Sequence, residues 1–308
     1  MQKLLIVGVD TVAGANLAAS LSDRYQVFTA APDRRYEIPN CDALDPADAP
    51  RRYVELSQAD VIILCGPAAR SNWEPSAKEG IQDSTVESTQ EWAKIARETD
   101  AKLVMVSSDA VFSGPWMFHD EQSPGFSQSY QAQVIRAAED QVTRTCTNSL
   151  VLRTNVFGWS PQGESGWLET MLSEISARRV VEQDYIRHAT PMLATDLAEI
   201  IDRACQENLT GTYHVGGAER ISPLTLAQRL ADTFDLPWLS LRKEAALTET
   251  PQGFGASECS LQTKAIRKEL CVAMPLLSES LERLKEQSDN GYRARLASTN
   301  ATPKRRAA

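Results

Sequence analysis

The sequence predicts an α/β protein with a doubly wound parallel sheet and a smaller C-terminal α+β lobe. In the first half of the chain, short apolar runs alternate with segments of helical composition, which is typical of parallel strands joined by helices. In the second half the elements are shorter and loops are more frequent. The length of 308 residues allows about two such units at roughly 150 residues each.

Five apolar runs in the first half indicate strands, and runs of this kind suit strands buried on both faces. In chain order they are Leu4 to Val7, Gln26 to Ala30, Asp60 to Cys65, Lys102 to Ser107 and Leu150 to Arg153. Helical composition is found at Ala13 to Leu21, Ser84 to Arg97 and Ile135 to Val142. We therefore assign residues 1–158 to the sheet-forming unit.

The second unit, residues 159–287, is expected to form a lobe over the carboxyl ends of the strands, with some segments returning to the sheet. Its predicted helices are Trp167 to Ala177, Thr195 to Cys205, Thr225 to Phe234 and Pro275 to Glu286. A strand is predicted at Gly211 to Val215. Residues 288–308 carry five basic residues and one acid with little apolar content, which predicts a disordered basic tail.

Charge and cysteine content narrow the classes of partner. The formal net charge of −9 argues against binding of nucleic acid or an anionic membrane through a global basic field. None of the six cysteines forms a C-x-x-C pair and the three histidines are scattered, so no metal site is predicted. The N-terminal apolar run ends at Asp10, and no apolar stretch approaches the ~18 residues of a spanning helix. We expect a cytoplasmic protein with reduced cysteines.

The first predicted strand runs into a glycine-containing turn, Gly8 to Gly14, which is followed by a helix. Such a strand–turn–helix lets backbone N–H groups and the helix N-terminus, here at Val12, hold a pyrophosphate. Gly8 permits the tight turn and Gly14 permits close packing of the helix on the sheet. At Thr11 two effects oppose each other, since its Cβ crowds the pyrophosphate while its hydroxyl can donate a hydrogen bond. The turn predicts a Rossmann-like dinucleotide site.

Five segments in order resemble those of the extended short-chain dehydrogenase/reductase family, in particular its dTDP-4-dehydrorhamnose reductase-like, sugar nucleotide-binding members. They are the turn at residues 8–14, Val106-Ser-Ser-Asp-Ala-Val-Phe-Ser-Gly114, Leu152-Arg-Thr-Asn-Val-Phe-Gly158, Thr190-Pro-Met-Leu-Ala-Thr-Asp-Leu-Ala198 and Gly211-Thr-Tyr-His-Val215. The similarity covers about residues 1–285.

The resemblance implies a nicotinamide cofactor, NADP or NAD, on residues 1–158 and a nucleotide-sugar or related small molecule on residues 159–287. In the family a hydride passes to a keto sugar while a tyrosine donates the proton and a Ser or Thr hydroxyl holds the carbonyl oxygen. A lysine four residues after the tyrosine lowers the pKa of the phenol, which is otherwise near 10.

The catalytic residues match the family only in part. Ser108 matches the hydroxyl and Tyr130 is the best candidate for the proton donor. Four residues on stands Val134, or Ile135 in a register one residue later, so neither register supplies the lysine. On a helix Arg136 points about 160° away from the lysine position. The sequence therefore predicts an intact architecture with a degenerate active site and impaired catalysis.

Further residues are assigned to the cofactor groove. Asp33 can accept from an adenosine ribose and Arg34 can pair with a 2′-phosphate, although a solvated loop is an equal alternative. Asp42 resembles the family residue beside the adenine. Cys65 and Gly66 would line the next edge of the groove.

On the substrate side, the resemblance points to Asp109 and Phe112, which follow the Ser108 strand. Arg187 is placed to meet a nucleotide phosphate, with a surface ion pair as the alternative. Arg153, at a strand end, is expected to be structural.

Two functions follow from these observations. One is an NAD(P)-binding member of the nucleotide-sugar oxidoreductases with impaired catalysis. The other is a non-catalytic binding or regulatory protein on the same fold, similar to the regulatory subunit of methionine adenosyltransferase, which would act in a homodimer or with a protein partner.

Overall fold

A computed structural model of the chain describes residues 1–161, 166–244 and 253–296. Its strands are β1 (Lys3–Val7), β2 (Gln26–Ala30), β3 (Cys41–Ala43), β4 (Val61–Leu64), β5 (Lys102–Ser108), β6 (Ser149–Thr154), β7 (Val156–Phe157), β8 (Val181–Gln183), β9 (Met192–Leu193), β10 (Gly211–His214) and β11 (Leu241–Lys243). Its helices are α1 (Val12–Leu21), α2 (Pro50–Ser57), α3 (Asp83–Glu98), α4 (Tyr130–Thr145), α5 (Trp167–Ser176), α6 (Ala194–Gln206), α7 (Pro223–Thr233), α8 (Lys264–Leu270), α9 (Leu277–Asp289) and α10 (Tyr292–Leu296). Within these ranges no helix has both the length and the apolar composition needed to cross a membrane.

The central sheet has seven strands in the order β10-β6-β5-β4-β1-β2-β3, and all neighbours pair in parallel. The strand order reverses at β1, because the chain first runs outward to β2 and β3 and then returns to β4 on the other side. At such a switch point the loops after β1 and β4 diverge and leave a crevice at the carboxyl edge of the sheet. The predicted doubly wound α/β class is confirmed.

Both faces of the sheet are buried, which explains the apolar runs. In β1, Leu4 and Ile6 belong to one buried cluster and Leu5 belongs to the cluster on the opposite face. In β4, Ile62 and Ile63 divide between the same two clusters. Side chains alternate across a strand, so a strand covered on both sides is apolar throughout.

The second half of the chain returns to the sheet through β10, which pairs with β6 at one edge. Part of the predicted tail is ordered: α9 extends to Asp289 and α10 follows. Leu296 is 1% exposed and Arg295 donates to the carbonyl of Ala19 at 2.8 Å. The prediction of disorder is therefore wrong for residues 288–296, because one apolar side chain anchors this segment on α1. The remainder of the predicted tail, 297–308, lies outside the described residues.

Candidate functional site

The turn after β1 depends on both of its glycines. Gly8 has a φ of 91°, and a Cβ there would lie 2.1 Å from the carbonyl oxygen of Cys65. A Cβ on Gly14 would lie 2.2 Å from the carbonyl oxygen of Gly8. These approaches exclude any side chain and bring the start of α1 directly onto the carboxyl ends of β1 and β4.

Thr11 closes the turn instead of facing a ligand. Its buried hydroxyl accepts from the N–H of Gly14 at 3.0 Å and donates to the carbonyl of Gly8 at 2.8 Å. A hydroxyl has a single proton, and Thr11 donates it to the carbonyl of Gly8. It is therefore not available for the hydrogen bond to a pyrophosphate that the sequence allows. The first N–H groups of α1, that of Val12 included, lack intrahelical acceptors as in any helix and can serve an anion.

Two cavities lie at the crevice. The first, of about 290 Å³, is walled mostly by apolar residues, among them Pro32, Gly66 and Trp92. Apart from its chain neighbours, none of the described residues has an atom within 4 Å of the position that a Cβ on Gly66 would take, so this glycine leaves open space over the groove. The second, of about 230 Å³, lies at the start of α1 and includes Thr11 and Val12 in its wall. The first cavity suits a flat apolar group such as a nucleobase, and the second suits the phosphates attached to it.

The loop after β2 forms the outer rim of this groove. Asp33 and Arg34 are exposed, and the Arg34 guanidinium lies 5.1 Å from the centroid of the Tyr36 ring. Tyr36 itself lines the second cavity. The residues predicted to bind the ribose and the 2′-phosphate, Asp33 and Arg34, therefore lie on the rim of the groove with their side chains exposed.

Asp42 is the middle residue of β3 and lies opposite Phe28 of β2. Its exposed carboxylate accepts from the side-chain amide of Gln26, the first residue of β2, at 3.4 Å. This contact directs the side chain toward the amino edge of the sheet, and the adenine contact stays a prediction. Asp45, just beyond the carboxyl end of β3, lies 4.0 Å from Arg35.

Ser108 ends β5 and is 1% exposed. Its Oγ accepts from the N–H of Ala110 at 3.1 Å and so caps the short turn that follows. Asp109 is completely buried and accepts from the side-chain amide of Asn72 at 2.6 Å. Burial raises the pKa of Asp109 to about 8.

Phe112 is also completely buried, and its ring stacks on His119 with centroids 4.6 Å apart. The predicted substrate contacts through Asp109 and Phe112 are therefore wrong in this structure, since neither side chain has exposed surface. Phe112 follows the turn after β5 into an aromatic cluster, and its ring is covered there by Phe126 and His214.

The loop between β4 and α3 covers the end of β5. Besides the contact of Asn72 with Asp109, Ser71 Oγ donates to Asn155 Oδ1 at 2.6 Å, and Trp73 is 7% exposed. Ser71 and Asn72 thus bind this loop to the residues that directly follow β6 and β5. No pattern in the sequence indicates these contacts beyond the polar residue that directly follows β6.

Tyr130 is the first residue of α4 and is 51% exposed. Its hydroxyl donates to Asp83 Oδ1 at 2.9 Å, and this hydrogen bond to a carboxylate raises the pKa of the phenol. A catalytic phenol needs the opposite shift. The two predicted catalytic hydroxyls lie in different surroundings: that of Ser108 is buried at the end of β5, and that of Tyr130 is exposed beside α3.

The register of α4 is fixed by Glu139, which accepts from Ser107 Oγ at 2.6 Å and pairs with Arg153 at 2.7 Å. The residues four and eight positions earlier on that face are Ile135 and Gln131. Ile135 is completely buried and Val134 is 5% exposed, so both positions that could match the family's lysine carry buried aliphatic side chains. Arg153 is structural, as expected.

Within the part of the chain that the structure describes, no other cation replaces the lysine. Arg136 places its guanidinium 3.9 Å from the centroid of the Phe126 ring, which agrees with the direction worked out from the sequence. Among the described residues, the charged group at the Tyr130 hydroxyl is the carboxylate of Asp83.

Arg187 forms an ion pair with Asp184, with Nε and Oδ2 2.9 Å apart. The Arg187 side chain is 28% exposed. Of the two alternatives for this residue, the structure shows the ion pair.

Known proteins with similar structures include reductases and dehydratases of nucleotide sugars. The dTDP-4-dehydrorhamnose reductase of Bacillus anthracis in complex with NADP has a TM-score of 0.76 and 19% identity, with 93% of this chain and 100% of that chain covered. The dTDP-glucose 4,6-dehydratase of the same organism in complex with NAD has a TM-score of 0.73 and 12% identity, with 95% and 98% covered. At these identities the similarity shows the fold.

Sequence similarity leads to a different group of proteins. Methionine adenosyltransferase 2 subunit beta of Danio rerio is 25% identical over 227 residues, which cover 70% of this chain and 67% of that protein. This chain spans about two thirds of the length of such relatives. The family model described as RmlD substrate binding domain matches residues 1–288. With the motifs and the sheet order, this match shows that the chain belongs to the RmlD substrate binding domain family, within the extended short-chain dehydrogenases/reductases.

Proposed function

We propose that this protein binds NADP or NAD in the crevice between β1 and β4 and has lost the proton donor of a nucleotide-sugar reductase. The glycine turn, the start of α1 and the open space over Gly66 support the binding site. Similar structures in complex with NADP and NAD support the choice of ligand. A bound nicotinamide would supply or accept a hydride.

The observation that carries the loss of catalysis is the hydrogen bond from Tyr130 to Asp83. General acid catalysis contributes about 10²–10⁴-fold in rate. Here the Asp83 carboxylate makes the phenol a weaker acid, and Ser108 is buried. The first N–H groups of α1, that of Val12 included, can serve an anion whether or not the phenol acts as a proton donor, which supports binding without chemistry. Residues 1–158 would carry the dinucleotide, and residues 159–287, with Arg187, would carry a nucleotide-sugar or a related small molecule.

Titration with NADPH and NADH, followed by cofactor fluorescence, tests the binding site. We expect saturable binding of at least one cofactor, together with turnover of dTDP-keto sugars far below the ~1–10³ s⁻¹ of ordinary enzymes. Turnover in that range, abolished by Tyr130→Phe, would contradict the proposal.

A rescue variant tests where the chemistry was lost. The double substitution Gln131→Tyr with Ile135→Lys puts a phenol and an ammonium four residues apart on the face of α4 that Glu139 fixes. We expect it to raise keto-sugar turnover above that of the unmodified chain. The matched control, Tyr130→Phe with Val134→Lys, changes the neighbouring positions and should give no gain.

A second candidate function is that of a non-catalytic subunit. The similarity to methionine adenosyltransferase 2 subunit beta and the burial of Ser108 favour it. Sedimentation of the purified chain, alone and mixed with a methionine adenosyltransferase catalytic chain from the same cells, tests this candidate. A joint boundary supports a protein partner, a dimer of the chain alone supports a homodimer, and a monomer in both samples counts against the candidate.

We also propose the cytoplasm as the compartment, on the support that all six cysteines are free thiols in the structure. Cell fractionation with an antibody to the protein is the test. Recovery in an oxidising compartment would contradict it.

A further inference from the structure

An ion pair crosses the crevice at the switch point of the sheet. Asp10 belongs to the turn that follows β1, and Arg70 belongs to the loop that follows β4. Arg70 Nη2 and Asp10 Oδ2 are 3.8 Å apart, and the two side chains are 26% and 22% exposed. The pair therefore joins the two chain segments whose divergence creates the ligand crevice.

The ion pair lines the cavity that we assign to the phosphates of a dinucleotide. Both residues line the cavity of about 230 Å³ at the start of α1, beside Val12 and Tyr36. An anion held by the first N–H groups of α1 would lie next to the Asp10 carboxylate. The repulsion is strong in such a place, because partial burial weakens the screening by water.

The surroundings of Asp10 destabilise the ionised form of its carboxyl. Burial raises the pKa of its carboxyl, although Arg70 and Arg34 favour the ionised form. A bound pyrophosphate would add negative charge to this site and would compete with Asp10 for Arg70. Thr11, whose hydroxyl is used within the turn, does not offset this competition.

We propose that Asp10 is a negative determinant of dinucleotide binding, and that Arg70 exchanges the Asp10 carboxylate for the pyrophosphate when a dinucleotide binds. This inference rests on the proposed function, since it requires that a dinucleotide binds in this crevice. It gives the protein a site whose affinity one residue of the glycine turn lowers.

Isothermal titration of the full chain with NADPH tests the inference. Asp10→Asn should lower the Kd about tenfold or more, and Asp10→Ser, which is smaller, should change it in the same direction. Asp140→Asn is the matched control, because it removes the same charge from an exposed site on α4 and should leave the Kd within about twofold. Adding Arg70→Gln to Asp10→Asn should cancel most of the gain.

The outcomes separate the inference from the proposed function. If the unmodified chain binds NADPH and Asp10→Asn binds no more tightly, the inference is wrong while the proposed site stands. If neither the unmodified chain nor any Asp10 variant binds NADPH or NADH, the proposed function is wrong, and the inference falls with it.

Discussion

Replacement of Asp109 by asparagine should change how stability depends on pH. Asp109 is completely buried, and burial raises its pKa from the ordinary 3.8 to about 8. Between these values the folded protein keeps a proton that the unfolded chain has released, so stability falls as pH rises. The full difference corresponds to roughly 6 kcal/mol, of which about 2 kcal/mol falls between pH 6.5 and 8.5.

Urea unfolding at pH 6.5 and pH 8.5 measures this difference. The asparagine in Asp109→Asn keeps the shape of the side chain, and Asn72 Oδ1, which has no hydrogen-bond partner among the described residues, can accept from the new amide. Relative to the unmodified chain, this variant should therefore gain about 2 kcal/mol in its free energy of unfolding between the two pH values. His214, whose pKa burial lowers to about 3, contributes equally in the two proteins, so its effect cancels in this comparison. Parallel pH profiles for the two proteins would refute the reasoning.

Three further substitutions test other contacts. Gly8→Ala forces a Cβ to 2.1 Å from the Cys65 carbonyl oxygen at a φ of 91°. Thermal unfolding should show that the free energy of unfolding falls by about 3 kcal/mol or more. An unchanged Tm would contradict the turn geometry. Glu139→Gln leaves the Arg153 guanidinium buried without its anion, so the free energy of unfolding in urea should fall by ~3–5 kcal/mol. A decrease below about 1 kcal/mol would count against a buried ion pair. Tyr130→Phe removes a hydrogen bond at the exposed start of α4, and both the Tm and the Kd for NADPH should stay unchanged; a weaker Kd would place this phenol in the binding site after all.

Much of the sheet could be predicted from sequence because its strands are covered on both faces. β2 lies at the predicted residues, and β1, β4, β5 and β6 differ from the predictions only at their ends. β3 was missed because it has three residues and one of them is exposed, so it has no apolar run. The start of α4 was placed five residues late, at Ile135. The signal was present in Ser129, whose hydroxyl accepts from the N–H of Ala132 as a helix cap.

The candidate site was predictable where it depends on local chain geometry. The two glycines and the missing lysine could be read from spacing alone. The burial of Asp109 could not, because it depends on Asn72, which lies 37 positions away and approaches only through the path of the β4–α3 loop. Asp42 shows the same limit, because the direction of its side chain depends on Gln26, which lies on the neighbouring strand.

The place of β10 in the sheet links the two halves of the chain mechanically. A fragment that stopped at residue 158 would leave one side of β6 without its hydrogen-bonded neighbour and open to association with other chains. Because of the same pairing, a displacement of β10 would also displace β6, and β6 pairs with β5, the strand that ends in Ser108. A ligand that binds residues 159–287 and displaces β10 would therefore act on the centre of the sheet without contacting it.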